Sequence, residues 1–207
     1  MSATRGRSPR LSVAAKLLAI AVIATAVFAA DAPAWRVASG DVRVLCPLTI
    51  GGSFEAKTAA LSGTLGLASA QPVTLTGALS VDLRTLDSGI AMRNGHMRER
   101  YLEVDKGEGF AKAVLSEIRL TDAKDDSFKG ATAFTAKLAL HGTNRPVAGR
   151  AEVRRDGASV RVEASFPVSI PEFGIEKPRY LGVGVKDEVQ VKVSFGATTA
   201  PPTGGQP

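Results

Sequence analysis

The stretch Val160-Arg161-Val162-Glu163-Ala164-Ser165-Phe166-Pro167-Val168-Ser169-Ile170 decides the fold. Val160, Val162, Ala164, Phe166, Val168 and Ile170 are apolar, whereas Arg161, Glu163, Ser165 and Ser169 between them are polar. A period of two places each set on its own face of an extended strand, so the segment has one dry and one wet face. The pattern recurs on both sides of it. Val189, Val191, Val193 and Phe195 alternate with Gln190, Lys192 and Ser194, and Phe134, Ala136, Leu138 and Leu140 alternate with Thr135, Lys137 and His141. Leu75, Leu79, Val81 and Leu83 do the same around Thr76, Ser80 and Asp82. Fainter copies at 42–50, 61–67, 114–120 and 147–153 bring the count to about eight strands. Gly51-Gly52, Ala70-Gln71-Pro72, Asp125-Asp126-Ser127, Gly142-Thr143-Asn144 and Asp156-Gly157 supply turn chemistry between them. Short one-faced strands joined by short turns predict an all-β chain, an antiparallel up-and-down β-barrel or else a sandwich.

Two segments break the alternation. Leu86–Glu103 (LDSGIAMRNGHMRERYLE) carries Ile90, Met97 and Tyr101 near helical spacing beside Arg93, Arg98, Glu99 and Arg100. It reads as a loop plus one short helix lying on the barrel or over one end, with Gly95 weakening the helix. Pro171–Gly184, with two prolines and three glycines, reads as a rim loop. The end of the chain, 197–207 (ATTAPPTGGQP), offers nothing to a core and is expected to be disordered.

The formal charge of +6 on 207 residues would by itself suggest a polyanionic partner. Arg5, Arg7, Arg10 and Lys16, however, precede the first acidic residue, Asp31, and the apolar run Leu17–Ala30 follows them. A basic start, an apolar run of about 14 residues and a small-residue end are the pattern of a signal peptide over 1–30, with cleavage between about 29 and 34. An uncleaved anchor is the alternative reading, although the run is shorter than the ~20 residues that span a bilayer. Without those four of its 26 basic residues the chain carries 22 against 20 acidic ones, a net of +2. Nucleic acid therefore drops out as an expected partner, and the mature chain has no apolar stretch long enough to span a membrane.

Catalytic and metal motifs are missing. His96 and His141 lie on different elements without ligand-like neighbours, so no metal site is expected. No G-x-S-x-G elbow, G-x-G-x-x-G loop or G-K-[ST] motif occurs, and Gly51-Gly52-Ser53 reads as a turn. Hence neither catalytic residues nor a cofactor are assigned. The one cysteine, Cys46, excludes an intramolecular disulfide and falls in the apolar register Val42, Val44, Cys46, Leu48, Ile50. Arginines at a barrel mouth can pair with a phosphate or carboxylate head, while the plainer reading of Arg93–Arg100 is a solvated helix face. A barrel of about eight strands either fills with side chains or holds one small ligand. With only 5% aromatic residues, the inward set of Val, Leu, Ala and Ile favours a cavity.

Four stretches in order resemble the YceI-like family. WRVASGDVRV from Trp35, followed by Gly51-Gly52-Ser53-Phe54-Glu55, is similar to its opening strand and G-x-F turn. VDLRTLDSGIAMRNGHMRERYLE (Val81–Glu103) resembles its strand, S/D-x-x-T-G loop and R-D-x-H-[LM]-[RK] helix. LALHGTNRPV (Leu138–Val147) resembles its H-G hairpin, and FPVSIPEFGIEKPRYLGVGVKDEVQVKVSF its closing loop and strand. Asn94 stands where the family has Asp, Tyr101-Leu102-Glu103-Val104-Asp105 replaces an aromatic D-F-F-D, and Lys106–Ala111 replaces Y-P-x-[IA]-x-F. The resemblance covers 35–196 and implies a secreted, lipocalin-like barrel associated with polyisoprenoid binding.

The expectation is a periplasmic or secreted carrier of an apolar isoprenoid- or lipid-like amphiphile. By parity its lining would be Val81, Leu83, Phe134, Leu138, Leu140, Val162, Ala164, Phe166, Val168, Val191 and Val193, with Met97, Tyr101, Phe173 and Ile175 closing the mouth. Two alternatives stand beside it. One is a filled, ligand-free interaction barrel; the other is an enzyme using His96 or His141 beside a carboxylate in the cavity. A homodimer is expected if the barrel leaves an open edge.

Overall fold

A computed structural model describes residues 34–123, 128–180 and 183–199. The expected leader, the turn at Asp125-Asp126-Ser127 and the tail beyond Thr199 lie outside the described residues. The strands are β1 (Ala34–Val37), β2 (Gly40–Pro47), β3 (Ser53–Thr58), β4 (Leu61–Ala70), β5 (Val73–Asp82), β6 (Lys112–Leu120), β7 (Gly130–Leu140), β8 (Thr143–Asp156) and β9 (Ser159–Ser169). A rim ribbon of β10 (Arg179–Tyr180) and β11 (Val183–Gly184) precedes β12 (Glu188–Thr199).

β1 and β2 act as one stave. Their partner strands β4 and β3 keep a single unbroken register along it, from Ala34↔Gly66 through Val37↔Gly63 and Val42↔Thr58 to Pro47↔Ser53. From β4 the chain meanders antiparallel through β5, β6, β7, β8 and β9 to β12. β12 then pairs on its far side with β2 (Gln190↔Leu45 to Phe195↔Gly40) and β1 (Trp35↔Thr199). The result is a closed antiparallel barrel of eight staves. Closure removes the open edge from which a dimer was argued.

Parity places the inward side chains as expected along β7, β9 and β12, where Phe134, Leu138, Phe166, Val168, Val189 and Phe195 are buried. β6 departs from it. Its register with both neighbours slips by one residue between Ser116 and Arg119, at Glu117, whose φ is 53°. This bulge resets the alternation, so Ala113 and Leu115 face the large cavity while Ile118 and Leu120 line the small lower one. Ile50, expected in the inward register of β2, lies in the turn after it and is 70% exposed. The tail also begins later than expected. Ala197 is buried opposite Val160, and Thr198 and Thr199 pair with Ser159 and Trp35, because β12 must reach the far end of both neighbours to close the barrel.

The expected short helix is a composite. α1 (Ala91–Gly95) runs into a wider π-helical turn, His96–Tyr101, and a second one-turn helix, α2 (Glu108–Ala111), follows a 3-10 turn at Val104–Lys106. Together they cover one end of the barrel wall, where Ala56, Leu83, Leu86, Val104 and Ala111 form their own small core.

Gly149 on β8 faces inward opposite Phe134. A methyl group there would lie 2.3 Å from the Ser165 carbonyl oxygen, 2.7 Å from Phe166 Cβ and 2.9 Å from Phe134 Cε1. Backbone cannot yield to that, so Gly149→Ala is expected to destabilise the barrel by about 1–3 kcal/mol as overpacking does. Chemical denaturation of the two proteins reads this directly, and an unchanged midpoint would contradict it.

Candidate functional site

The upper interior is hollow. Inward residues of β2, β5, β6, β7, β9 and β12 enclose a cavity of about 920 Å³. This lies near the top of the roughly 300–1,000 Å³ range typical of small-molecule sites. Val, Leu and Ala leave the centre of an eight-stave barrel empty, because their side chains are too short to meet across it. Thr132 and Thr58 are the buried polar residues of the described chain, and neither faces this space. Cys46 does, and burial pushes its thiol up to about 11, which keeps it protonated and unreactive at neutral pH.

All the residues expected to contact a ligand, apart from two, line this cavity: Val81, Leu83, Met97, Tyr101, Leu138, Leu140, Phe134, Ala164, Phe166, Val168, Ile175, Val191 and Val193. Val162 sits deeper, in a separate chamber of about 120 Å³. Phe173, expected at the mouth, is 2% exposed and points into the packed wall. The 3-10 turn Ile170–Phe173, ended by Gly174 at φ 68°, turns Ile170 and Ile175 to the cavity and Phe173 away from it. Parity undercounted the lining as well. Val42, Val44, Cys46 and Leu48 of the first stave belong to it, and their alternation was legible.

The mouth is built from the two segments that broke the alternation. Ile90, Met92, Arg93, His96, Met97 and Arg100 come from the composite helix, and Pro178, Arg179, Val183, Gly184 and Val185 from the rim ribbon. The ribbon is tied to the β2–β3 turn by Thr49 N–H to the Gly184 carbonyl at 2.8 Å and by Gly184 N–H to Thr49 Oγ1 at 3.0 Å. Arg93 lies over the Phe54 ring at 4.4 Å, and Arg100 is 3.8 Å from Glu176 with both side chains largely exposed, a weak pair. Arg98 plays another part: its Nη2 donates to the Leu86 carbonyl at 2.6 Å and holds the loop before α1. The charged residues lining the cavity are Arg93, Arg100 and Arg179, and no carboxylate is among them.

Two polar clusters fasten the helical segment. Asp87 Oδ1 accepts from Asn94 Nδ2 at 2.7 Å and from Gly89 N–H at 2.8 Å, and Asn94 Oδ1 accepts from Ser88 N–H and Oγ at 2.8 Å each. The Asn94 amide, with the Gly89 N–H, holds the Asp87 carboxyl below the ordinary range. Further along, His141 Nε2 lies 3.0 Å from Glu103 Oε2 and its Nδ1 3.1 Å from the Phe173 carbonyl, with Phe110 edge-on at 4.8 Å. Both ring nitrogens face oxygen atoms. His141 and Gly142 form the tight β7–β8 turn with φ of 50° and 70°. The hydrogen bond from Lys106, with that from His141, lowers the Glu103 carboxyl.

This geometry separates the two conditions that an enzyme reading needs. His141 is partly buried beside a carboxylate but does not line the cavity, whereas His96 lines the cavity and is exposed with no carboxylate in the lining. Among the described residues no three His, Cys, Asp or Glu side chains gather as a metal site would require. No helix among them is long and apolar enough to cross a membrane.

A closed antiparallel barrel with a hollow apolar interior and a partly covered mouth defines a lipocalin-like binding protein. The family profile of the YceI-like domain matches residues 35–197, and the chain belongs to that family. No curated protein sequence matches it. Among solved structures it is similar to BcnA of Burkholderia cenocepacia, with a TM-score of 0.60 and 18% identity over 77% of this chain and 96% of that one. It is also similar to a polyisoprenoid binding domain from Saccharophagus degradans implicated in plant cell wall breakdown, with a TM-score of 0.59 and 16% identity over 82% and 99% of the two chains. At these identities the likeness is one of fold.

Because the Asp87 and Glu103 carboxyls are lowered on folding, their fastening contribution is complete above the ordinary carboxylate pKa of about 4 and is lost as pH falls through their folded values. Amide exchange over 86–106, corrected for intrinsic rate, is expected to stay slow from pH 7 to 5 and to quicken below about pH 4. Asn94→Asp replaces the donor to Asp87 with a second carboxylate. Residues 86–95 should then open already at neutral pH and close again on mild acidification as the pair takes up a proton. Equal protection in both proteins at pH 7 would show that this cluster fastens nothing.

Proposed function

We propose that this protein is a periplasmic or secreted carrier that holds the apolar chain of an isoprenoid- or lipid-like amphiphile inside the barrel. The observation that carries the proposal is the apolar cavity of about 920 Å³ that opens at arginines. Burial of chain against Val, Leu and Phe supplies the affinity, at ~25 cal/mol per Å² before ordering costs. Arg93, Arg100 and Arg179 receive the head, and their guanidinium groups suit phosphate or carboxylate. The S. degradans domain described as polyisoprenoid binding supports an isoprenoid chain over other greasy ligands. The leader pattern at 1–30 supports export. A ligand-free barrel would leave this void unfilled, at a cost that close-packed interiors avoid.

Native mass spectrometry and organic extraction of protein expressed in a membrane-containing host test the carrier reading. A prenyl or acyl species is expected to leave with the protein. A barrel that emerges empty and takes up no prenyl alcohol from vesicles would sink it. For the head, Arg93→Gln with Arg179→Gln should lower affinity for a prenyl phosphate by at least about tenfold, since each charge-assisted bond is worth roughly 1.5–3 kcal/mol. Affinity for the matching alcohol should hold. If both fall equally, the arginines shape the mouth and read no charge.

A further inference from the structure

The two interior chambers are stacked and share a wall. Leu79, Leu115, Phe134, Ala164 and Phe195 line both the large cavity and the small one below it. Phe134 is the centre of that partition. Its ring is 4% exposed and meets the ring of Phe166 edge-to-face, with centroids 5.9 Å apart and planes at 84°. Gly149 opposite it leaves the ring its room, since a Cβ there would lie 2.9 Å from Phe134 Cε1. Above the partition the lining is aliphatic and open toward the mouth. Below it the lower chamber, lined by Trp35, Ile118 and Leu120 among others, holds only about 120 Å³.

Resting on the carrier reading above, we infer that the Phe134–Phe166 pair is a chain-length gauge: it stops the ligand's tail and limits the ligand to prenyl chains of about 30 carbons. The limit follows from volume. A methylene fills about as much space as a water molecule, roughly 30 Å³, so the cavity of about 920 Å³ takes about 30 carbons, or about six isoprene units. The lower chamber of about 120 Å³ equals about four carbons more, close to one further unit. A chain loaded from a membrane keeps every unit out of water only while the barrel has room for it. Each unit beyond the limit stays outside, exposed at the mouth, and lowers capture several-fold or more. The residue that sets the depth therefore sets the preferred length.

The test offers the full chain phosphatidylcholine vesicles doped with equal amounts of all-trans polyprenols from C15 to C45, then measures by mass spectrometry which lengths the repurified protein carries. The wild-type distribution is expected to break off near about C30. Phe134→Ala joins the chambers and should move the break out by about one unit, to about C35. Since that truncation can unfold the barrel, Phe134→Leu serves as the milder variant and should move the break in the same direction. Leu138→Phe, two inward positions from Phe134 on β7 and on the lining of the large cavity, raises the floor and should move the break inward. A break that stays in place in folded variants, or capture that keeps rising to C45, overturns the gauge while the carrier reading stands. Capture of no polyprenol at any length overturns the carrier reading itself, and the gauge with it.

Discussion

The structure depends on β12 being paired along both of its edges. It holds β9 from Glu188↔Ser169 to Thr198↔Ser159, and on the other side the stave made of β2 and β1. Without the second set of hydrogen bonds the meander would be an open sheet, and its apolar face would have to find a second layer. With it, eight one-faced strands enclose their own apolar faces. The interior is then a fixed volume, which the sequence must either fill or leave hollow.

It does both, at different depths. Phe134 and Phe166 pack edge-to-face between the two chambers, helped by the absent side chain at Gly149, and only about 120 Å³ is left open below them. Above them the inward positions carry Val, Leu, Ala and Cys46, which cover the wall without reaching the axis. The few aromatic residues thus divide the interior instead of plugging it. The same economy appears at the mouth, where Tyr101 and Phe54 take part in the rim and leave the entrance open.

How much was legible depends on whether the signal was local. Alternation from Val160 to Ile170 and from Val189 to Phe195 is a property of consecutive residues, so those inward sets could be read directly. The reset at Glu117 could not, because a bulge shows only when the neighbouring strands continue past it in register. Val162 has the same parity as Ala164, yet Ala164 borders both chambers and Val162 only the lower one, a difference of height along the barrel. Phe173 looked like a lid residue in a loop rich in glycine and proline, and the turn that ends at Gly174 buries it. The partnership of His141 with Glu103, 38 residues apart, left no local trace.

By itself the sequence determined that this is an all-β, antiparallel chain with an apolar inward face, since side-chain direction in a strand follows from a period of two and needs no knowledge of partners. It also determined the family, through four motifs in order. Tertiary structure alone decided that the barrel closes and stays hollow above Phe134. It also decided which arginines reach the mouth and which, like Arg98, serve the backbone. Those outcomes depend on distances across the barrel between residues far apart in the chain, and such distances exist only once every strand has taken its register.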